Sequence, residues 1–262
     1  CLPKEYQLDH SVANETDGDI ITGNLTCKKC RRSFPIIDGV AQLLQDPDSA
    51  CSAGQRRYEA SGILDRYLWS HYADLSGDQE NSSANMEWAN LLAKQSTSAL
   101  DTGCSVGRIT FEMAARCCWA AGCDLSLSFI KTARRLARDR QLTFSLPLEG
   151  NLRETFQIKL PATWRTDNLD FVVADALRLP IARDTVQQIA SLNLLDRVNF
   201  PLAHLFEINR VATVKGASFL FADPFSWSTS TTPEELWLGG TMTGQYRGRG
   251  LENVRALLEG KG

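Results

Sequence analysis

One stretch constrains this chain more than any other. Residues 100–108 read Leu-Asp-Thr-Gly-Cys-Ser-Val-Gly-Arg, after the apolar lead-in Ser98-Ala99-Leu100. Ile109, Met113 and Ala114 then recur at helical spacing within 109–116. The order is strand, tight glycine turn, helix. Gly103 and Gly107 let the backbone turn sharply and approach a ligand, and the first turn of the helix offers free N–H groups. Asp101 stands at the strand end, facing the crevice where open α/β sheets bind ligands. A dinucleotide fingerprint needs three glycines, the second pressed against a pyrophosphate. Here Ser105 stands between only two, which argues against a pyrophosphate.

With 262 residues the chain has room for one large domain, or a small one and a medium one. Its 43% hydrophobic and 23% charged residues are those of a soluble globular protein. A net charge of −3 provides no basic footprint, which disfavours nucleic acid as a partner. No apolar run approaches membrane-spanning length and no signal peptide opens the chain, so no membrane partner is expected. Of the eight cysteines, two form a Cys-x-x-Cys pair near the N-terminus and four cluster around the glycine turn and its following helix. That is not the even framework of a small secreted domain, and it reads as a reduced, cytoplasmic protein.

Three regions separate along the chain: a small β module at 1–45, a linker at 46–57 and the main domain at 58–262. In the module, 25–40 read Leu-Thr-Cys-Lys-Lys-Cys-Arg-Arg-Ser-Phe-Pro-Ile-Ile-Asp-Gly-Val. Cys27 and Cys30 on a tight knuckle can place two thiolates on one tetrahedral Zn²⁺. Cys1 is the expected third ligand, and the fourth is His10 or a cysteine upstream of Cys1. Such a zinc is structural, because the pair lies far in sequence from the glycine turn. A metal-free remnant with two free thiols is the alternative. The stretch resembles the zinc-binding small subunit that partners RNA and protein methyltransferases, and Phe34-Pro35-Ile36-Ile37-Asp38-Gly39-Val40 matches its characteristic turn.

In the main domain, 58–75 reads as a helix with Ile63, Leu64, Tyr67, Leu68, Tyr72 and Leu75 on roughly one face. Tyr67, Trp69, His71 and Tyr72 make it unusually aromatic. A loop at 77–85 and a helix at 86–94 follow. Residues 119–123 form a strand ending in Asp124, about 20 residues beyond the glycines, where a nucleotide fold presents an acid to ribose hydroxyls. A carboxylate suits a vicinal diol, while capping the helix at 129–140 is its other use, for which Ser126 also competes. Residues 142–167 are an insertion or extended hairpin without an assigned role. Strands at 169–174, 188–195 and 217–222, a helix at 201–211 and a terminal helix at 251–258 complete the domain. The second strand runs into Asp196-Arg197-Val198, and an aromatic loop carries Trp227.

The glycine turn resembles motif I of the class I S-adenosylmethionine methyltransferases, with Ser105 in place of the middle glycine. That family implies an α/β fold, a Rossmann-like sheet with helices on both faces. It implies donor contacts from Asp101, Gly103, Cys104, Gly107 and Arg108, from Asp124 and Leu125, from Asp175 and Ala176 at the adenine step, and from Asn193. More narrowly, 63–72, 101–111, Asn193-Leu194-Leu195-Asp196-Arg197 and 224–240 are similar to the methyltransferase domain of ovothiol-synthesising enzymes. The Asn-Leu-Leu-Asp-Arg stretch is also similar to the protein histidine Nπ-methyltransferases. The expected acceptor is therefore a small molecule or peptide carrying an imidazole, met by Tyr67, His71, Tyr72, Trp227 and Trp237.

The chemistry fits those residue types. Neutral imidazole has one lone-pair nitrogen, and an enzyme choosing Nπ must keep the proton on Nτ. A carboxylate accepting Nτ–H does this and stabilises the imidazolium formed. Asp196 is the expected catalytic carboxylate, with Asn193 orienting the ring; a helix cap paired with Arg197 is the competing use of Asp196. Two other readings stand beside this one. One is an RNA-modifying methyltransferase docked through its zinc module by Lys28, Lys29, Arg31 and Arg32. The other is a non-catalytic, donor-binding scaffold.

Overall fold

The computed structural model describes residues 5–45, 57–60, 62–75 and 84–260. Its centre is a five-stranded parallel sheet formed by β5 (Ser96–Thr102), β6 (Cys117–Asp124), β9 (Leu169–Val173), β10 (Gln188–Leu192) and β11 (Ser218–Ala222). Their order is β11-β10-β5-β6-β9. The chain winds outward from β5 through β6 to β9, then returns to place β10 on the other side of β5. A crevice opens at that reversal, above the C-terminal strand ends. The strands are covered on both faces, which is why their cores read as apolar runs such as Ala99-Leu100 and Ala120-Ala121 rather than as alternation. The fold is the expected mixed α/β, Rossmann-like arrangement.

Helices α1 (Ile63–Tyr72) and α2 (Ala84–Leu91) precede the sheet. The crossover helices are α3 (Arg108–Ala114), α4 (Leu127–Asp139) and α5 (Pro201–Val211), and α6 (Gly250–Leu258) closes the chain. The expected continuous helix at 58–75 is broken. A 3-10 turn at Arg57–Glu59 is followed by Gly62 at φ 80, so α1 starts only at Ile63. Strand β10 stops at Leu192, three residues before the expected end, because Asn193 turns to φ 55. Residues 142–167 resolve into the hairpin β7 (Gln141–Glu149) and β8 (Leu152–Lys159), with Gly150 at φ 54 in the turn. Its Phe144 and Phe156 stack with centroids 5.5 Å apart and pack into the core over α4.

The N-terminal module is a four-stranded antiparallel sheet of β1 (Leu8–Thr16), β2 (Asp19–Cys27), β3 (Ser33–Ile37) and β4 (Val40–Ala41). It is docked on the main domain. Gln42 forms a parallel bridge to Val173 at the edge of the large sheet, and Leu43 N–H donates to the Val173 carbonyl at 2.7 Å. Arg134 on α4 reaches Asp19 at 2.7 Å, Lys131 reaches Asp38 at 2.7 Å, and Arg210 reaches Glu5 at 2.7 Å. The chain between 46 and 56 lies outside the described residues, as does Cys1.

Cys27 and Cys30 do share a knuckle. Backbone N–H groups of Cys30 and Lys29 hold the Cys27 thiol below the usual thiol range. His10 lies on β1 opposite Leu25. Among the described residues, no three His, Cys, Asp or Glu side chains are grouped to hold a metal ion. The expected third ligand, Cys1, lies outside the described residues.

Candidate active site

A cavity of about 410 Å³ opens above the ends of β5, β6, β9 and β10, roofed by α1 and α2. Three carboxylates form its floor. Asp101, at the end of β5, is buried and accepts the Thr110 hydroxyl at 2.8 Å. Burial, reinforced by the charge of Asp124, pushes it up to about 7 despite that bond. Asp124 ends β6, and its two oxygens accept Ser126 N–H at 2.8 Å and Ser105 N–H at 3.0 Å. Burial raises it, and those bonds offset part of the rise. Asp124 does not cap α4; Ser126 does, accepting Phe129 N–H at 3.2 Å. That leaves the carboxylate edge facing the cavity. Asp175, just past β9, is also raised by burial and accepts Leu177 N–H at 2.8 Å. The carbonyl of the adjacent Ala176 accepts Nδ1–H of the buried His204 at 3.1 Å, so His204 Nε2 accepts the Ser191 hydroxyl at 2.9 Å.

The glycine turn supplies the wall between β5 and β6. Gly103 (φ 68) lies so close to Leu194 that a Cβ would sit 2.9 Å from its Cδ1, and Leu125 and Cys104 complete this side. Ser105 takes φ 52, a glycine-like conformation, with its hydroxyl buried. Gly107 and Arg108 do not line the cavity, contrary to the expectation of donor contacts. A Cβ on Gly107 would meet Phe171 at 2.7 Å, so this glycine serves helix–sheet packing. The Arg108 side chain is 2% exposed and lies in the core. It reaches Asp74 at 2.6 Å, Glu112 at 3.2 Å and the His71 carbonyl at 3.1 Å, and its guanidinium stands 5.0 Å from the Trp164 ring centroid. Arg108 thus ties the end of α1 down onto α3.

The roof is aromatic. Tyr67 and His71 stack with centroids 5.8 Å apart, and Tyr67 packs on Phe129 at 4.8 Å. Tyr58, Trp69 and Trp88 extend this wall. Burial and the charge of Arg108 push His71 down to about 4, so its imidazole is neutral near pH 7. Tyr72 was expected to meet substrate but turns inward, its hydroxyl donating to the Val106 carbonyl at 2.8 Å. Its side chain is fully buried in the core beneath the glycine turn.

At the far end stand Asn193, Leu194 and Arg197. Asn193 holds its left-handed turn through N–H donation to the Ala222 carbonyl at 2.7 Å. Asp196 does not reach the cavity. It is fully buried, accepting Ser226 N–H at 2.7 Å and facing Arg197 Nε at 3.1 Å. Its partner Arg197 is the residue that lines the cavity. Trp227 and Trp237 also lie elsewhere. They stack on each other at 6.1 Å, Trp227 packing into a separate cluster under α6, and Trp237 Nε1–H donates to the Thr232 carbonyl. The sequence reading missed Arg197 and Trp88. Arg197 carried a signal, since it directly follows Asp196, whereas Trp88 comes over the site only through the packing of α2. A second cavity of about 690 Å³ lies between the module and the main domain, where Arg210 is already held by Glu5, Glu207 and two carbonyls.

Residues 100–220 match the methyltransferase domain family, and residues 8–39 match the Trm112p-like protein family. Residues 100–220 thus carry a methyltransferase domain. No curated protein matches it. Solved structures similar to the chain include the YcgJ protein of Bacillus subtilis, at 14% identity and TM-score 0.38, covering 49% of this chain and 45% of that one. A SAM-dependent methyltransferase of Methanosarcina mazei is 19% identical with TM-score 0.35, covering 51% and 54%. The complex of the Haloferax volcanii Trm112 methyltransferase activator with a candidate methyltransferase gives 16% and 0.41, covering 64% and 59%. The chain thus spans 45% to 59% of the length of these structures. Among the described residues, no helix is long and apolar enough to cross a membrane.

Proposed function

We propose that the chain methylates the Nπ of a histidine-type imidazole. The observation carrying this reading is the division of the cavity by β5. On one side, Asp124 at the end of β6 and Asp175 past β9 suit a donor's ribose diol and adenine amine. On the other, the β10 end offers Asn193 and Arg197 beneath an aromatic roof. The residues present fit S-adenosylmethionine. The Asp124 carboxylate is already fixed by two N–H groups, Gly103 leaves no side chain in the way, and Ser105 holds a buried hydroxyl in the wall. When bound, this donor supplies an electrophilic methyl group.

The chain's own residues then do the rest. Asn193 orients the acceptor ring, and its side-chain carbonyl accepts Nτ–H, which keeps the lone pair on Nπ. The neutral His71 and Tyr67 provide a flat, uncharged face for an imidazole to stack on. Arg197 provides the positive charge for an anionic group of the acceptor, and Asp196 acts through it as a positioning residue. The expectation of direct proton transfer to Asp196 is therefore replaced by this relay of orientation. An unperturbed imidazole titrates near about 6.5, so no strong base is needed before attack.

The test is transfer of labelled methyl from S-adenosylmethionine to histidine, 5-thiohistidine, His-containing peptides and total RNA. Label on an imidazole compound supports the proposal; label on RNA alone overturns it. The match of 8–39 to Trm112p-like proteins favours a second reading, an RNA or protein methyltransferase assisted by its own docked module. That reading predicts label in the polymer fractions only.

A further inference from the structure

Resting on the reading of Asp175 as the acid for the donor's adenine amine, we infer that His204 is a positioning residue, which orients the Asp175 carboxylate through the peptide between Ala176 and Leu177. His204 on α5 and Ser191 in β10 are both fully buried, and neither touches the cavity. His204 Nδ1 stands 3.1 Å from the Ala176 carbonyl, an oxygen that can only accept, so Nδ1 carries a proton. Burial pushes the ring down to about 4, so it is neutral near pH 7. Nε2 is then left to accept the Ser191 hydroxyl at 2.9 Å.

The far side of that peptide completes the connection. The Ala176 carbonyl and Leu177 N–H belong to one planar group, so fixing the first fixes the second. Leu177 N–H donates to Asp175 Oδ1 at 2.8 Å. The chain of bonds therefore runs from the Ser191 hydroxyl to His204, from His204 to the peptide, and from the peptide to the carboxylate. Every donor points toward the negative charge, the order in which each bond polarises and strengthens the next. The segment needs such a hold, because residues 174–178 lie in no helix or strand. Without His204 the buried carbonyl loses its donor, and the peptide is free to rotate its N–H away from Asp175. With it, one carboxylate oxygen is taken by the backbone while Asp175 lines the cavity. A carboxylate fixed in this way accepts an exocyclic amine and repels an oxo group in the same place. The consequence of the relay is therefore base choice, beyond affinity alone.

The experiment is calorimetric titration of the full chain with S-adenosylhomocysteine and with S-inosylhomocysteine, whose base carries an oxo group in place of the amine. Wild type is expected to prefer the adenosyl ligand by about tenfold or more, and D175A to lose that preference. H204F, which fills the space without an N–H, is expected to reduce the preference by about fivefold. H204N, whose amide N–H takes the place of Nδ1–H, is expected to keep it within about twofold of wild type. This rescue separates positioning from packing, since asparagine fills the space less well than phenylalanine. H204Q, whose amide falls at the Nε2 end instead, replaces H204F if that variant fails to fold, with the same expected loss. A preference retained in H204F or H204Q, or lost equally in H204N, overturns the inference and leaves the reading of Asp175 standing. No preference in wild type, or one unaltered in D175A, overturns the reading of Asp175 and this inference with it.

Discussion

Asp196 and Arg197 are sequence neighbours that pair with each other, with Nε of the arginine 3.1 Å from a carboxylate that is fully buried. The acid is the anchor and the arginine is the contact. Asp196 is held from behind by Ser226 N–H at 2.7 Å, and its own N–H donates to Asp223 at 3.2 Å. Burial, and then the charge of Asp196, pushes Asp223 up to about 6. A guanidinium fixed at Nε has fewer orientations to lose when it meets an anion, so it binds in a defined geometry.

Arg197→Gln is expected to raise the acceptor KM by about tenfold to a hundredfold, the worth of one charge-assisted hydrogen bond. Donor affinity measured by calorimetry should stay within about twofold. Asp196→Asn should act in the same direction. Unchanged acceptor KM in both variants would remove the pair from acceptor recognition.

Asp124→Ala should weaken donor binding by more than about tenfold, because an ionised acceptor for a diol is lost. The acceptor side should be untouched once the donor is saturating. Calorimetry with S-adenosylhomocysteine reads the effect directly, and equal affinity would exclude the ribose role.

Asp101 predicts a pH dependence. Its folded value of about 7 lies above the ordinary carboxylate value of 3.8, so the folded chain holds this proton over the interval between them. Its contribution to stability is complete below about pH 4, falls as pH rises, and settles at its lowest above about pH 7. The upper bound of the loss is about 4 kcal/mol. Thermal melts at pH 5 and pH 8 should therefore show Asp101→Asn gaining on wild type as pH rises. A constant difference between the two proteins would refute the shift.

Arg108→Met should destabilise the fold by about 3 kcal/mol, since it leaves Asp74 and Glu112 without their buried cation. At this size the loss corresponds to a melting temperature lower by about 10 °C. Donor affinity should fall less than in Asp124→Ala, because Arg108 acts through α1 rather than by touching the donor. A variant with full stability and no donor binding would show the opposite, a direct contact.

The pieces legible in the chain were those governed by local rules. Asp101, Gly103, Asp124 and Asp175 follow strand ends whose apolar runs and spacing are written in sequence, and a parallel sheet brings such ends together at one edge. The hairpin over 142–167 was harder, because its strands are half-exposed and their alternation is weak. The helix at 58–75 was overextended because periodicity does not register a single left-handed glycine.

What the sequence by itself determined is the order of the elements, the α/β sheet, the methyltransferase chemistry at the glycine turn and the acids that follow it. Only the tertiary structure decided which neighbour of each pair lines the cavity: His71 rather than Tyr72, Arg197 rather than Asp196. It also decided that Trp227 and Trp237 pack against each other, and that the module's Gln42 joins the sheet at Val173. The physical reason is that adjacent residues point in different directions, and the choice between them is made by packing. A helix buries the side chain with a partner waiting, such as the Val106 carbonyl for Tyr72, and a buried acid turns toward the N–H that can satisfy it. Those partners lie 30 or more residues away along the chain, beyond the reach of any local pattern.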